Sequence, residues 1–407
     1  MADSTDRILT THVGSLPRPA HLIERNFQRS RGTDADEAGY QQELTAAVAE
    51  LVAQEQEVGV DIVNDGEFGH SMGHQYDYGP WWTYIFQRLG GLELRDIGLL
   101  EVPMAKSKPG AEVVLGAIGD RREWMEFGDA YMDKSSGVAL PNPDIGTGSP
   151  VTVGPITYQG QEAIANDIAN FKAALDAAGI EDGFLNSVAP ASCARFGNEH
   201  YADEEELIWA CADAMREEYV AIVEAGLILQ LDDPAIAENY DQIIPEPSAA
   251  AYRRFNQVRI DALNHAIRGL PEDRIRFHLC WGSWHGPHTG DIPMAEIVET
   301  MLAVNAKYYS FEAANVRHEH EWRVWRDVKL PEGKVLVPGI VSHATNVIEH
   351  PQVVADRIVR FAEGVGRENV IASTDCGLGG RVHPQLAWAK LRSLSEGAAL
   401  ATKELWG

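Results

Sequence analysis

The chain is predicted to fold as a parallel (β/α)8 barrel of the TIM type with a long excursion after the second strand. Three observations lead there. Short apolar runs alternate with helical stretches until eight strands are counted, several of those runs end in side chains able to carry chemistry, and 407 residues suffice for one large barrel with an insertion.

Ile8 to Pro17 reads as a strand ending in a Gly-Ser turn, and Glu37 to Val58 repeats alanine, leucine and valine at helical spacing. A second strand, Val60 to Glu67, completes strand, helix, strand. Further strands are expected at Phe184–Val188, Ile228–Leu231, Ile275–Leu279, Tyr308–Phe311, Val335–Ile340 and Val370–Ser373. The clearest helices between and after them are Asp203–Ala225, Ser248–Ile267, Ala295–Val304, Pro351–Ala362 and Pro384–Ser393. The stretch from His70 to Pro150 breaks this rhythm, being first aromatic and glycine-rich and then carrying the apolar runs Glu112–Ile118 and Val151–Ile156. Counting the second run in the barrel would give nine strands, so the two are expected to pair antiparallel outside it. The sequence shows no internal repeat and no low-complexity linker, which predicts one domain over residues 1–407 with an excursion at 70–157 beside the barrel mouth.

The formal net charge of -27 argues against nucleic acid and anionic membrane surfaces as partners, since both call for basic protein surface. No apolar stretch reaches the length of a membrane span, and the first residues lack the charged and apolar regions of a signal peptide, so the cytoplasm is the default location. A homo-oligomer is left open.

The most chemically suggestive stretch is Arg276 to Trp284. Residues i and i+2 of a strand face the same way, so His278 and Cys280 would point into one space. Tyr308–Glu312 and Val370–Cys376 likewise end in side chains able to coordinate. His278, Cys280, Glu312 and Cys376 together suit zinc better than calcium or magnesium. The competing reading of His278 and Cys280 is a core histidine beside a buried thiol. Disulfides are disfavoured by the uneven scatter of Cys193, Cys211, Cys280 and Cys376. Asp375 is a candidate hydrogen-bond partner for a metal-bound imidazole, with a purely structural role as the alternative. The aromatic run Tyr76–Phe86 reads as excursion core or as a cover over substrate. His285, His288, His318 and His320 read as solvated or substrate-facing rather than as a second metal site.

The motifs Thr11–Pro17, Asp65–Glu67, Gln230–Pro234, His278–Cys280, Phe311–Glu312 and Asp375–Leu378 occur in the order found in cobalamin-independent methionine synthase, and the chain resembles the catalytic C-terminal half of that family over nearly its whole length. The resemblance implies a single (β/α)8 barrel with a catalytic zinc on His278, Cys280, Glu312 and Cys376. It further implies that Val13, Gly14 and Ser15 bind homocysteine backbone atoms, that Glu67 and Asp232 contact the amino-acid part of the thiol, that Glu238 faces the methyl donor, and that His343 donates a proton. On residue type alone, Glu67 and Asp232 read equally well as helix caps or arginine partners.

Several departures stand out: Asp233 replaces the family's glutamate, the Pro338–His343 loop is one residue shorter, and Trp281–His288 is richer in tryptophan and histidine. The reaction implied is zinc-dependent transfer of a methyl or other alkyl group to a small-molecule thiol, most like methionine formation from homocysteine. Addition of a thiol to an epoxide, as in epoxyalkane:coenzyme M transferase, or the reverse carbon-sulfur cleavage, is the nearest alternative. A metal-free decarboxylase-like barrel and a binding protein with structural zinc are more distant ones.

Overall fold

The computed structural model describes residues 3–30, 32–71, 80–97, 104–117, 119–133, 135–138 and 148–407. Among these lie eleven strands: β1 (Leu9–Thr10), β2 (Val63–Asn64), β3 (Leu89–Arg95), β4 (Ser149–Tyr158), β5 (Gly183–Val188), β6 (Gly197–Asn198), β7 (Ile228–Asp232), β8 (Ile275–Leu279), β9 (Tyr308–Phe311), β10 (Val335–Val341) and β11 (Ile371–Thr374). Eight form one sheet in the order β1-β11-β10-β9-β8-β7-β5-β2, with every neighbour parallel. A parallel bridge from Thr11 to Ile62 joins β1 to β2 and closes the ring. This is the (β/α)8 barrel expected from the strand count. No helix among the described residues is long and apolar enough to cross a membrane.

The strands are buried on both faces, as helix-covered parallel strands must be, and so their apolar runs are nearly continuous. Helix starts are set by side-chain caps. Asp36 accepts from Gly39 N–H, Asp203 from Glu205 and Glu206 N–H, and Ser248 from Ala251 N–H, leading into Glu37–Glu57, Glu204–Glu224 and Ala249–Ala266. The first two strands are shorter than their apolar runs. After Thr10 the chain turns inward, and Gly14, at φ +116°, passes so close to Asn186 that a Cβ would sit 2.3 Å from its Oδ1.

Inside the barrel, chemistry is stratified. Leu9, Ile62, Phe184, Ile228, Tyr308, Val335, Val337 and Ile371 pack as a separate apolar cluster. One step along β5, β7 and β8 come Asn186, Gln230 and Arg276, which are in register, and a further step reaches Asp232 and His278. The period of two thus turns from hydrocarbon to polar groups toward the C-terminal strand ends, where TIM barrels carry their chemistry.

The excursion differs from expectation in its pairing. Val151–Ile156 lies in β4, but its antiparallel partner is β3, and β6 adds a parallel edge. Residues 112–117 form no strand, and Ile118 lies outside the described residues. Val113 is buried there while Gly116 N–H donates to Gln242 carbonyl at 3.1 Å, so this run is used to bind the loop after β7. The true partner, Leu-Gly-Gly-Leu-Glu-Leu-Arg, is masked in sequence by its two glycines, one of which takes φ +83° at a register shift. Of the aromatic run, 76–79 lie outside the described residues; Trp82, Tyr84 and Ile85 are core. Tyr84 belongs to a buried polar cluster at the root of the excursion, where Glu218 accepts from Tyr84, Tyr158, Ser187 and Arg88, and Arg88 also meets Asp167. Further on, Arg121 pairs with Glu238, Glu123 accepts from Thr289 N–H, and Trp124 meets Trp284 edge to face. These contacts lie on the loops after β7 and β8, at the C-terminal end of the barrel.

Candidate metal centre and the groups around it

His278 is the inward-facing residue near the end of β8, and Cys280 follows two positions later on the same side. Cys376 arrives just past β11. A nitrogen of His278 and the two sulfurs lie within 4.8 Å of one another, with Cys280 Sγ and Cys376 Sγ 3.9 Å apart. His278 Nδ1 faces Ser310 Oγ at 3.0 Å, while its Nε2 is buried without a hydrogen-bond partner among the described residues. An imidazole oriented through one nitrogen, with the other left bare, is the arrangement of a metal ligand. Two sulfurs bound tetrahedrally at about 2.3 Å stand about 3.8 Å apart, so the observed separation fits a shared zinc.

Ser310, rather than Asp375, orients that imidazole. Asp375 Oδ1 accepts from Ala313 and Ala314 N–H at 2.7 and 2.8 Å and thereby anchors the chain leaving β9. Ser310 was legible, since it precedes Glu312 by two on one strand face and pairs in register with His278.

Glu312 is 1% exposed, and its Oε1 lies 3.7 Å from Cys280 Sγ. Its carboxylate groups with His343 and Asp375 in a second cluster within 4.8 Å. His343 is fully buried with neither ring nitrogen partnered among the described residues; burial, aided by the Arg381 charge, lowers it to about 3, so it is neutral at pH 7. Among the thiols, Cys376 is drawn well below the ordinary thiol range by its hydrogen bond with Cys280, which is itself raised by that bond and by burial.

Beside the metal group, Val13, Gly14 and Ser15 line the turn after β1. Val13 carbonyl accepts from Asn186 Nδ2 and Gln230 Nε2, both at 2.9 Å, and the same two amides reach Asp232 at 2.8 and 2.7 Å. Asn186 thus fixes both the turn and the carboxylate. Sequence reasoning missed it because its partner lies 173 residues away. Behind the turn, His12 Nδ1 accepts from Gly14 N–H at 3.1 Å while Nε2 meets Glu55 at 2.5 Å.

Glu67 is not a helix cap. It takes φ +61°, a strained value for a non-glycine residue, and buries Oε2 without a hydrogen-bond partner among the described residues, with His70 Nδ1 3.9 Å away. Burial first, then the Asp232 charge, raises it well above the usual carboxylate range; burial likewise lifts Asp232 to about 6. Two carboxylates buried side by side disfavour each other's charge. Arg18 donates to Glu67 carbonyl rather than to its carboxylate. Glu238 has both oxygens engaged by Arg121 and Arg195.

Of the two readings for the loop histidines, solvated or substrate-facing, the solvated one fails for two of the four. His288 and His318 are buried, at 3% and 2% exposure. His318 places Nε2 2.9 Å from Asp291 and Nδ1 2.8 Å from Glu321; His288 faces Asp291 at 3.0 Å and Trp284 carbonyl at 3.1 Å. With acceptors at both nitrogens, each ring is an imidazolium. Burial opposes that charge, but the carboxylates outweigh it and raise His288 to about 9 and His318 to about 10. Their folded-state values exceed the unfolded 6.5, so the stability they contribute is fully present below pH 6.5 and is lost as pH rises through 9 and 10. The gap in unfolding free energy between wild type and His318→Phe is therefore expected to be wide at pH 6 and to narrow at pH 10, measured by urea denaturation. His285 is half-buried, and His320 is exposed.

Residues 150–399 match the sequence profile of the family described as cobalamin-independent synthase, catalytic domain. The methionine synthase of Saccharolobus solfataricus is 22% identical over 400 residues, covering 97% of this chain and 95% of that protein. That of Thermococcus kodakarensis is 22% identical over 405 residues, covering 97% and 94%. In fold, the chain is similar to a B12-independent methionine synthase from Shewanella sp. W3-18-1 in complex with selenomethionine, with TM-score 0.67, 20% identity and coverage of 98% and 99%. The chain belongs to the family of cobalamin-independent synthase catalytic domains.

Proposed function

We propose that the protein transfers a methyl group from a small donor to the sulfur of homocysteine, at a zinc ion held by His278, Cys280, Glu312 and Cys376. The observation that carries this reading is the convergence of a bare His278 Nε2 and two sulfurs 3.9 Å apart beside a buried carboxylate pair. A free thiol is only a few per cent ionised at neutral pH. Zinc, when bound, stabilises the thiolate form of a substrate thiol.

The chain's own groups do the rest. Glu67 and Asp232 take the substrate ammonium, with Asp232 held by Asn186 and Gln230. The turn at Val13, Gly14 and Ser15 meets the substrate's backbone atoms. His343, neutral in the free protein, takes the proton that the substrate thiol gives up on ionising and passes it to the leaving group of the donor. The enclosed position of these residues keeps water from competing with the thiol. Residues 1–407 act as one unit, with the excursion at 70–157 beside the mouth. All four cysteines are free, in keeping with the reducing cytoplasm as the place of work.

The test is a metal and product assay on the full-length protein. It is expected to hold close to one zinc per chain and to form methionine from homocysteine with methyltetrahydrofolate or methylcobalamin. Chelation should abolish turnover and added zinc restore it. A protein that ignores homocysteine but binds coenzyme M tightly would replace this reading with thiol addition to an epoxide.

A further inference from the structure

Glu312 differs from the other three proposed ligands in how fully the protein itself binds it. Its Oε1 accepts from Trp281 main-chain N–H at 3.1 Å and its Oε2 from Asn315 Nδ2 at 3.2 Å. It clusters with His343 and Asp375, whereas His278, Cys280 and Cys376 form the other tight group.

Both donors are fixed from behind. Asn315 carbonyl accepts from His318 and Glu319 N–H, each at 2.8 Å, and its Oδ1 accepts from Arg317 N–H at 3.1 Å. The turn that presents Asn315 Nδ2 to Glu312 therefore also delivers His318. His318 is clamped between Asp291 and Glu321, and its ring lies against the Trp281 indole at 4.2 Å, with the planes 30° apart. On another side, Trp281 Nε1 donates to Ile292 carbonyl at 2.8 Å. With its indole held in this way, Trp281 keeps its main-chain N–H aimed at Glu312.

We propose that Asn315 and His318 are positioning residues that give the Glu312 carboxylate a second, prebuilt seat, which it would occupy if a thiol sulfur replaced it on a bound metal. Asn315 acts on the carboxylate directly, and His318 acts through Trp281. The inference rests on the metal and thiol reading given above. A carboxylate displaced into a buried site without donors is strongly disfavoured and would return to the metal in competition with the thiol. The seat would weaken that competition without loosening a bound metal, which His278, Cys280 and Cys376 would still hold.

The test uses the full-length protein loaded with cobalt(II) in place of zinc and titrated with homocysteine, following the thiolate-to-cobalt absorption. Asn315→Ala is expected to bind cobalt one to one and to weaken homocysteine about tenfold, the loss of one hydrogen bond to a charged group. In a Glu312→Ala background the same substitution should change homocysteine affinity by less than about twofold, because no carboxylate is left to seat. Equal weakening in both backgrounds would mean that Asn315 only shapes the pocket, and no weakening in the wild-type background would remove the seat altogether; either result overturns the proposal. If Asn315→Ala does not fold, Glu321→Gln, which retains the shape and frees one side of His318, is expected to weaken homocysteine severalfold in the wild-type background and not in Glu312→Ala. Failure of the underlying reading looks different: the wild-type protein then shows no cysteinate-to-cobalt band, or one that homocysteine leaves unchanged.

Discussion

Replacing Cys376 by serine is expected to leave a folded barrel that holds almost no zinc and forms no methionine. Cys376 sits 7% exposed just beyond β11, its sulfur 3.9 Å from that of Cys280. A serine hydroxyl is nearly isosteric, so the apolar interior beneath loses nothing. What disappears is a thiolate donor already drawn below the ordinary thiol range. Zinc binds such sulfurs at about 2.3 Å, and the hydroxyl, which does not ionise at neutral pH, offers no equivalent. Metal content by mass spectrometry should fall from near one per chain to below about a tenth, while the circular dichroism spectrum is retained. Full activity in a zinc-free Cys376→Ser protein would remove the metal from the mechanism.

Glu67→Gln is expected to retain its zinc and to lose homocysteine affinity by about ten- to a hundredfold. The carboxylate is buried beside Asp232, and its Oε2 has no hydrogen-bond partner among the described residues, which leaves that oxygen open to a donor from the substrate. A substrate ammonium would complete it with a charge-assisted bond worth roughly 1.5 to 3 kcal/mol, and 1.4 kcal/mol is tenfold in affinity. Methyl transfer should fall in step. Titrating wild type and variant with homocysteine and coenzyme M side by side checks the sign: a sulfonate is repelled by the same carboxylate, so its binding should be unchanged or improved in Glu67→Gln. Homocysteine binding that is indifferent to the substitution would detach Glu67 from the substrate.

Much of this site was legible before any coordinates because strand periodicity carries far. His278 and Cys280 share a face by spacing alone, and Glu312 and Cys376 stand where their strands end. The strand count likewise led to the barrel. What escaped were relations between distant segments. Asn186 looks like any strand asparagine until Val13 and Asp232 are folded onto it. The β3 run was hidden by Gly90 and Gly91, which serve a register shift rather than a turn between elements. His288 and His318 each have a carboxylate three residues on, Asp291 and Glu321, but the contact of His318 with Asp291, 27 residues away, forms only when the loops after β8 and β9 meet. For Asn186, for β3 and for the His318–Asp291 contact, the deciding neighbour lay outside the window in which sequence pattern carries information.

The dispersal of the metal ligands along the chain has a consequence for how the protein matures. His278, Cys280 and Glu312 are synthesised well before Cys376, which is followed mainly by the closing helix Pro384–Trp406. The strand that brings Cys376, β11, is also the one that pairs with β1. Until it docks, a growing chain has one sulfur, one imidazole and one carboxylate, an incomplete set on an open sheet. With the proposed ligand set, metal capture would be timed to barrel closure, and possession of the ion would certify a finished fold. A chain truncated before β11 is expected to emerge without the thiol-activating centre, and so to be inert rather than half-active.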